Sequence, residues 1–362
     1  MHKLKRYLLI FLSILVISAC DKDETNPVAP TADEPDQSIR TGHFFGISPT
    51  FNHYIPDVEY NDYVDMGIRS LRLHFQNRFG AYYYDNVITQ CRADSIEIMM
   101  LVSYESYPSE SVEDVPPWGG TRLKYTNSLE LVNKLAEIVP RYRDLGVHAW
   151  EIWNEENGTW YIPPDEFGEL MATLYEKFVY TDKWDPSATI ILGGLDASAG
   201  PWDPSGSNGA AKEYLQKVYA SKAVRDFRAT YSHSPFDAVA VHPYNTETKT
   251  KFDHNLADVC YSNMKANGDD GMPIWITELG DASVNDKQQA NRLEIYVKAA
   301  LAHPLVERLH WFKYTYPSGD AHQYYSIVMA DGRYREAFTR YADLIEKANK
   351  GELIYYHPVQ KN

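Results

Sequence analysis

The chain has 362 residues, of which 44% are hydrophobic and 14% aromatic, so its composition is that of a globular protein rather than a disordered one. Its formal net charge of −15 would repel phosphate backbones, which argues against a nucleic-acid partner. Three cysteines are too few for a disulfide scaffold.

The first residues have the layout of a secretory signal. A basic start precedes the apolar run 7–17, which is too short to span a bilayer comfortably. Residues 17–20 read Ile-Ser-Ala-Cys and resemble a bacterial lipobox, which implies removal of residues 1–19 and lipidation of Cys20. The other interpretation is an ordinary secretory signal that contains this cysteine by chance.

Residues 20–41 are predicted to form a flexible tether, because they are polar, contain three prolines and lack an apolar period. Just after the cysteine, residues 22–24 read Lys-Asp-Glu and are similar to the acidic signal that sends some lipoproteins to the bacterial surface. The resemblance implies an outer-membrane lipoprotein that is exposed at the cell surface and held to the membrane through Cys20.

Eight short runs of apolar, β-branched and aromatic residues alternate with longer stretches of helical period. The predicted strands are His43–Ser48, Ser70–Phe75, Ile96–Val102, Ala149–Trp153, Thr189–Leu192, Ala238–His242, Ile274–Thr277 and Arg308–Phe312. The main helical stretches are Ser128–Leu145, Asp165–Tyr180, Gly209–Phe227, Gln288–His303 and Arg335–Lys350. Each interval between strands has room for one helix, which favours a closed (β/α)8 barrel over an open sheet.

We therefore predict a single α/β domain with the TIM-barrel fold over residues 42–350, followed by a C-terminal tail at 351–362. The longest insertion, Tyr104–Tyr125, is either an aromatic-tipped loop at the substrate-binding face of the barrel or a rigid surface loop. Cys91 and Cys260 lie in amphipathic helical stretches, so two buried free thiols are favoured over a disulfide.

Two acids stand at the ends of predicted strands. Residues 150–155 read Trp-Glu-Ile-Trp-Asn-Glu and place Asn154 and Glu155 at the end of the fourth strand, and residues 273–280 place Glu278 at the end of the seventh. In an eight-stranded barrel both ends face the same mouth. Glycosidic bond cleavage needs a protonated acid at the leaving oxygen and a second carboxylate at the anomeric carbon, and this pair can supply both.

At these residues the chain resembles the retaining glycoside hydrolases of clan A. The resemblance implies that Glu155 is the acid/base, that Glu278 is the nucleophile and that Asn154 hydrogen-bonds the sugar 2-hydroxyl. Within the clan, the motifs look most like family 39 and the related Asl1-like glycosidase domains. The chain departs from that pattern at Glu156, where those proteins usually have proline.

Four further residues fit the same resemblance. Arg72 on the second strand matches the arginine that holds the nucleophile ionised, with a structural ion pair as its alternative role. Tyr244, in the sequence His242-Pro243-Tyr244, matches a tyrosine that donates a hydrogen bond to the nucleophile. Trp311 matches the aromatic floor under the reacting sugar, or fills the core. His242 is either a substrate contact or a hydrogen-bonded structural group.

The sequence thus predicts a surface-anchored retaining glycoside hydrolase that cleaves β-linked extracellular poly- or oligosaccharide, with endo action favoured. The open alternatives are an exo-acting β-glycosidase similar to β-xylosidases and a glycan-binding lipoprotein without catalysis. Trp118, Trp160 and Trp202 are loop candidates for stacking against sugar rings. No cofactor or metal is expected, because the sequence has no nucleotide fingerprint and no metal-ligand spacing; the expected partner is carbohydrate, and the expected state is a monomer.

Overall fold

The computed structural model describes residues 42–106, 112–115, 120–123, 128–158, 160–197, 211–244 and 249–353. The predicted signal, the tether and Cys20 lie outside the described residues, as do Trp118 and Trp202. All described residues belong to one compact unit, residues 37–362.

Eight parallel strands close into a barrel, which confirms the predicted (β/α)8 TIM-barrel fold. The barrel strands are β1 (Phe45–Ile47), β2 (Ser70–His74), β3 (Glu97–Val102), β6 (Ala149–Asn154), β7 (Thr189–Asp196), β8 (Ala238–His242), β9 (Ile274–Leu279) and β10 (Val306–Trp311). Each strand pairs with the next in this order, and β10 pairs with β1 to close the ring.

All eight predicted strands are present, and β7 differs most from its prediction. It continues to Asp196, four residues beyond the predicted end at Leu192. The Gly-Gly pair at 193–194 makes the strand appear to end at Leu192 in the sequence, because glycine usually weakens a strand. The pairing with β8 nevertheless resumes beyond these glycines, after a shift in register, at Leu195 and Asp196.

The helices lie between the strands in the chain. They are Asp57–Met66, Asp85–Ala93, Ser128–Leu145, Pro164–Tyr175, Ala211–Ala220, Lys222–Tyr231, Lys249–Asn255, Ser262–Ala266, Asp286–Ala302 and Glu336–Asn349. Single π-helical turns at Glu176–Tyr180 and Leu256–Tyr261 follow two of them. Of the described residues, no helix is long and apolar enough to cross a bilayer.

The predicted helix Gly209–Phe227 is in fact two helices. Ser221 interrupts it with an extended backbone and accepts a hydrogen bond from the Val224 N–H at 3.4 Å, so it caps the second helix. The helix Asp57–Met66 was not predicted from the sequence, because its buried face consists mainly of tyrosines and a glutamate rather than of aliphatic residues.

Part of the insertion after β3 forms a small sheet outside the barrel. Strands β4 (Val112–Val115) and β5 (Gly120–Leu123) pair in antiparallel register, so the predicted loop contains a hairpin. Cys91 and Cys260 are buried and free, which confirms the prediction of two unpaired thiols.

The inside of the barrel has an apolar and a polar layer. The apolar layer comprises Met99, Ala149, Ile191, Ala238, Ala240 and Trp275. The side chains that bear charge or hydrogen-bonding groups lie nearer the carboxyl ends of the strands, where a TIM barrel carries its active site. Arg72, Glu151 and His242 are all buried there.

One glycine makes room for a buried histidine in the wall of the barrel. A Cβ added at Gly46 in β1 would lie 2.3 Å from Cδ2 of His310 in β10. His310 shares a hydrogen bond with Ser70 Oγ at 2.9 Å, over Gly46 of the intervening strand β1. If the His310 ring or strand β1 moved to make room for a larger residue at position 46, the hydrogen bond between His310 and Ser70 would be disturbed.

We expect Gly46→Ala to lower the free energy of unfolding by about 1–3 kcal/mol, because the new methyl group overpacks the barrel wall. Urea unfolding followed by circular dichroism measures the change. Gly271→Ala is the control, because an added Cβ there meets nothing within 4 Å. Equal stability of the two variants would contradict this account of Gly46.

Candidate active site

The two predicted catalytic acids face each other at the mouth of the barrel. Glu278 lies in β9, and Glu155 directly follows β6. One carboxylate oxygen of each and one ring nitrogen of His242 all lie within 4.8 Å of one another. The structure therefore brings together two acids that are 123 positions apart in the sequence.

Glu278 is surrounded by groups that stabilise its ionised form. Arg72 Nη1 donates a hydrogen bond to Oε1, and the Tyr244 hydroxyl donates one to Oε2 at 3.0 Å. Burial alone would raise the pKa of Glu278, but the charges of His242 and Arg72 together with these hydrogen bonds hold it below its usual value. Glu278 is therefore suited to act as a charged nucleophile, and Arg72 and Tyr244 make the contacts that the resemblance implies.

Glu155 has the opposite environment. Burial raises its pKa, the hydrogen bond with His242 opposes that rise, and the nearby negative charge of Glu278 adds to it. The net direction is upward, so Glu155 keeps its proton to higher pH than an ordinary glutamate does. Two neighbouring carboxyl groups with opposite pKa shifts are the arrangement that assigns one to acid catalysis and the other to nucleophilic attack.

His242 is a buried hydrogen-bond partner of Glu155. Its ring shares hydrogen bonds with Glu155 Oε1 at 3.1 Å and with Thr277 Oγ1 at 3.0 Å, and its side chain is fully buried. These contacts favour the hydrogen-bonded structural role of His242, and the alternative of a substrate contact stays a prediction. The ring fits only because residue 194 is glycine: a Cβ there would lie 2.0 Å from Nε2.

The pKa of His242 also responds to the two acids. Burial on its own would lower this pKa, but the charge of Glu278 and the hydrogen bond with Glu155 raise it above the usual value. The bond between Nδ1 and Oε1 therefore holds a proton that either the imidazole or the Glu155 carboxyl can carry.

Arg72 reaches across the barrel to three different groups. Besides Glu278, its Nη2 donates to Asn154 Oδ1 at 2.8 Å and its Nε donates to Glu151 Oε2 at 2.6 Å. Sequence reasoning missed Glu151, although strand alternation places it inside the barrel with Ala149. Asn154 is held with its side chain at the cavity, where the resemblance requires it.

Asn154 reaches the cavity because the end of β6 is irregular. In a regular strand, Ala149 and Glu151 face the barrel interior, so Trp153 would follow them and Asn154 would point outwards. The structure places Trp153 at φ 76° and Glu155 at φ 50°, both in the left-handed region. Trp153 consequently packs into the core between the sheet and the helices, and both Asn154 and Glu155 are available to the site.

Trp311 takes the second of its two predicted roles and fills the core. Trp311 is fully buried and belongs to the core, because His310 faces the barrel interior and alternation turns the next residue toward the helices. Phe312 lines the cavity instead. The motif match at Trp311 was one residue away from the side chain that reaches the mouth.

A cavity of about 250 Å³ lies beside Glu278. Its walls come from the loops after β1, β3 and β10 and from the ends of β2, β6 and β9. The lining residues are Ser48, Pro49, Asn52, Arg72, His74, Leu101, Tyr104, Asn154, Glu278, Phe312, Lys313 and Tyr316. The sequence assigned no role in the site to Asn52, His74, Phe312, Lys313 or Tyr316, because these residues are distant from one another in the chain. Tyr104 begins the insertion for which a place at the substrate-binding face was one of two interpretations.

Trp160 lies next to this cavity rather than in an isolated loop. Its ring stacks on Tyr104 with 3.7 Å between the centroids and 20° between the planes, and Tyr104 lines the cavity. The Trp160 carbonyl accepts a hydrogen bond from Trp153 Nε1 at 2.7 Å, which ties the stack to the end of β6. The predicted stacking role of Trp160 stays a prediction.

Among the described residues, Glu155, His242 and Glu278 are the set whose donor atoms could converge on a metal ion. Each of them already has a protein partner. His242 is hydrogen-bonded to Glu155, and the two oxygens of Glu278 accept from Arg72 and Tyr244. These contacts suit a proton-donating acid and a nucleophile.

Comparison with known proteins agrees with this geometry. Residues 204–341 match a family model described as the glycosyl hydrolase catalytic core, and this segment contains His242, Tyr244 and Glu278. The resemblance to glycoside hydrolases is thereby confirmed. The narrower likeness to family 39 and the Asl1-like domains stays a prediction. No curated protein sequence matches the chain.

Solved structures of glycoside hydrolases share the fold. A fungal β-1,4-galactanase is 12% identical over 83% of this chain and 99% of its own, with a TM-score of 0.57. A GH30 endoxylanase from Clostridium papyrosolvens is 14% identical over 84% of this chain and 72% of its own, with a TM-score of 0.56. A GH5_18 protein from Streptomyces cattleya, solved with GlcNAc, is 14% identical over 88% and 82%, with a TM-score of 0.58. At these identities the similarity establishes the fold.

Glu156 is buried beside the site but is separate from the catalytic pair. Neither of its carboxyl oxygens accepts a hydrogen bond from another described residue, and its side chain is fully buried against Gly193. Burial raises the pKa of Glu156 to about 8. Glu156 is not among the residues that line the cavity beside Glu278, and it remains neutral at neutral pH.

This buried acid makes stability depend on pH. Between pH 4.5, the ordinary value, and about pH 8, folded Glu156 keeps a proton that the unfolded chain releases. The free energy of unfolding therefore falls as pH rises through this window, by at most about 1.4 kcal/mol per pH unit. Glu156→Gln removes the effect, so its stability relative to the unmodified chain should increase with pH.

Urea unfolding at several pH values measures that difference. Glu169→Gln is the control, because Glu169 is exposed on the helix Pro164–Tyr175. Parallel pH profiles for the unmodified chain and Glu156→Gln would show that Glu156 is not held neutral.

Proposed function

We propose that this protein is a retaining glycoside hydrolase that cleaves β-linked poly- or oligosaccharide outside the cell. The observation that carries the proposal is the pair Glu155 and Glu278, which have one carboxylate oxygen each within 4.8 Å of the other and pKa values shifted in opposite directions. Carboxyl groups about 5–5.5 Å apart act by double displacement, whereas inverting enzymes separate them by roughly 6.5–9.5 Å to admit a water molecule. The short separation supports retention of configuration.

In the first step, a carboxylate oxygen of Glu278 attacks the anomeric carbon. The bond from that carbon to the leaving oxygen breaks, and Glu155 gives its proton to this oxygen. The product is an ester between the sugar and Glu278. Neutralising Glu278 in this way lowers the negative charge beside Glu155, and therefore favours ionisation of Glu155 for its next role.

In the second step, Glu155 accepts a proton from water as the water oxygen attacks the same carbon. The ester bond breaks, Glu278 regains its charge, and the sugar leaves with its original configuration. Arg72 and Tyr244 hold Glu278 in place during both displacements, and Asn154 is fixed by Arg72 beside the reacting sugar. His242 can store or return the proton of Glu155 through their hydrogen bond.

We favour endo action on a polysaccharide. The similar structures include proteins described as β-1,4-galactanases and as an endoxylanase. An enzyme held at the cell exterior also meets polymers too large to import. An exo-acting β-glycosidase would release monosaccharide alone, whereas an endo-acting enzyme releases a ladder of oligosaccharides, so product analysis distinguishes the two modes.

We expect Glu155→Gln and Glu278→Gln each to lower kcat/KM by about 10²–10⁴-fold, because the first removes the proton donor and the second removes the nucleophile. The measurement is hydrolysis of a panel of β-glycans and aryl β-glycosides by the purified full-length chain. Glu156→Gln is the matched control and should keep most of the activity, because this acid does not contact the pocket.

Substrates with different leaving groups distinguish the acid role of Glu155 from the nucleophile role of Glu278. A dinitrophenyl glycoside needs little protonation to depart, so Glu155→Gln should recover part of its first-step rate on it while Glu278→Gln should not. Cleavage that survives Glu278→Gln would mean that the nucleophile is another residue. A protein that binds a glycan without ever cleaving it would be a binding lipoprotein instead.

We also propose that the chain is anchored to the outer membrane through a lipid on Cys20 and displayed at the cell surface. The lipobox-like sequence at residues 17–20 and the Lys-Asp-Glu that follows it support this location. A tether of about 20 polar residues would keep the barrel clear of the membrane.

Cys20→Ser should therefore abolish incorporation of labelled palmitate and release the protein from the membrane fraction. Fractionation of the bacterium, together with protease treatment of intact cells, tests the anchor and the surface exposure separately. Cys91→Ser is the control, because Cys91 is a buried residue of the barrel domain. Membrane retention of the Cys20→Ser protein would contradict the proposed anchor.

A further inference from the structure

Lys313 is a cation in the wall of the candidate catalytic cavity. It lies two residues beyond the end of β10, and its side chain lines the same cavity as Glu278. Its Nζ donates one long hydrogen bond, 3.3 Å, to the Thr50 carbonyl and lies 4.3 Å from the centroid of the Tyr316 ring. These contacts orient the ammonium but leave donor capacity unused.

No carboxylate of the described residues lies within 4.0 Å of the Lys313 ammonium. Glu59, Glu278 and Asp320 act on it only at longer range, and burial lowers its pKa. A cation that is partly withdrawn from water without a counterion is costly to maintain. Its placement is explained if a ligand supplies the missing negative charge.

The other basic groups of the cavity do not compete for such a ligand. The donors of Arg72 are engaged with Glu151, Asn154 and Glu278. Burial and the charge of Arg72 lower the pKa of His74 to about 3, so this imidazole is neutral at neutral pH. Lys313 is therefore the available positive charge in the described lining of the cavity.

A second donor lines the same cavity as the ammonium. Asn52 follows Thr50 by two residues and also lines the cavity. Its Oδ1 accepts a hydrogen bond from the His74 N–H at 3.0 Å, which fixes the amide, and its NH2 group makes no hydrogen bond to another described residue. An ammonium and an amide NH2 that line one cavity can each donate a hydrogen bond to one oxygen of a carboxylate.

We propose that Lys313 and Asn52 bind the carboxylate of a hexuronic acid in the sugar position that Glu278 attacks. This inference rests on the proposed glycoside hydrolase activity and adds the substrate class. A neutral sugar offers hydroxyl groups, which hydrogen-bond an ammonium but do not offset its charge, whereas a carboxylate does both. The net negative charge of the chain does not prevent such binding, because Lys313 supplies a positive charge without a carboxylate partner at the cavity wall.

The test compares substrates that differ only in having a carboxylate or a hydroxymethyl group on the ring. Nitrophenyl β-glucuronide is paired with the β-glucoside, and β-galacturonide with the β-galactoside, on the purified full-length chain. We expect a higher kcat/KM for the uronide of at least one pair. Lys313→Gln should reduce the ratio of uronide to neutral kcat/KM by about tenfold or more, and Lys313→Arg should restore part of it.

Lys222→Gln is the control variant, because Lys222 is an exposed lysine on the helix Lys222–Tyr231 and should leave the ratio unchanged. Binding of free glucuronic and galacturonic acid, compared with glucose and galactose by titration calorimetry, does not depend on turnover. It should show the same preference and the same loss in Lys313→Gln.

The results that would contradict the uronic-acid site differ from those that would contradict the hydrolase activity. Cleavage of neutral glycosides with no preference for uronides, and an unchanged ratio in Lys313→Gln, would overturn the role of Lys313 and leave the hydrolase intact. Uronide binding that depends on Lys313 without cleavage of any glycan would overturn the hydrolase and keep the binding site. Equal binding of acids and neutral sugars would overturn the inference whatever the activity.

Discussion

The site depends on the hydrogen bonds and ion pairs of the Arg72 guanidinium. It is buried inside the barrel and projects from β2 to acids and an amide on β6 and β9, strands that are not its neighbours in the sheet. A buried cation must be paired, and removing one of its partners usually costs several kcal/mol. The same contact that satisfies Arg72 therefore also fixes where Glu278 and Asn154 lie, and it makes Glu278 the more acidic of the two carboxyl groups.

The opposite pKa shifts of Glu155 and Glu278 follow from the different groups that surround each carboxyl. Glu278 receives hydrogen bonds from Arg72 and Tyr244, while Glu155 shares one with an imidazole that is itself influenced by both acids. This imidazole occupies a position that only glycine at residue 194 allows. Gly194 thus contributes to the pKa shifts of the two acids, because it leaves the space that the His242 ring occupies.

The sequence was sufficient to predict the barrel and the position of Glu155 and Glu278 at its mouth, because these depend on local patterns. Short apolar runs between helical stretches mark strands, and an acid at a strand end of a barrel must face the mouth. The sequence was not sufficient to decide the role of Trp311. A motif does not show which of two successive residues on a strand has its ring at the mouth of the barrel. Glu151 and Lys313 were missed for another reason: their roles arise only where distant parts of the chain meet.

The left-handed backbone at Trp153 and Glu155 has a consequence for how this protein can change. Non-glycine residues in that region cost about 1–3 kcal/mol each, and here two of them flank Asn154. Glycine would relieve the strain at either position, so selection for thermal stability alone would erase the acid/base or the tryptophan that anchors it. The end of β6 is therefore a place where stability and activity oppose each other, and thermostabilising substitutions should be sought in other parts of the barrel.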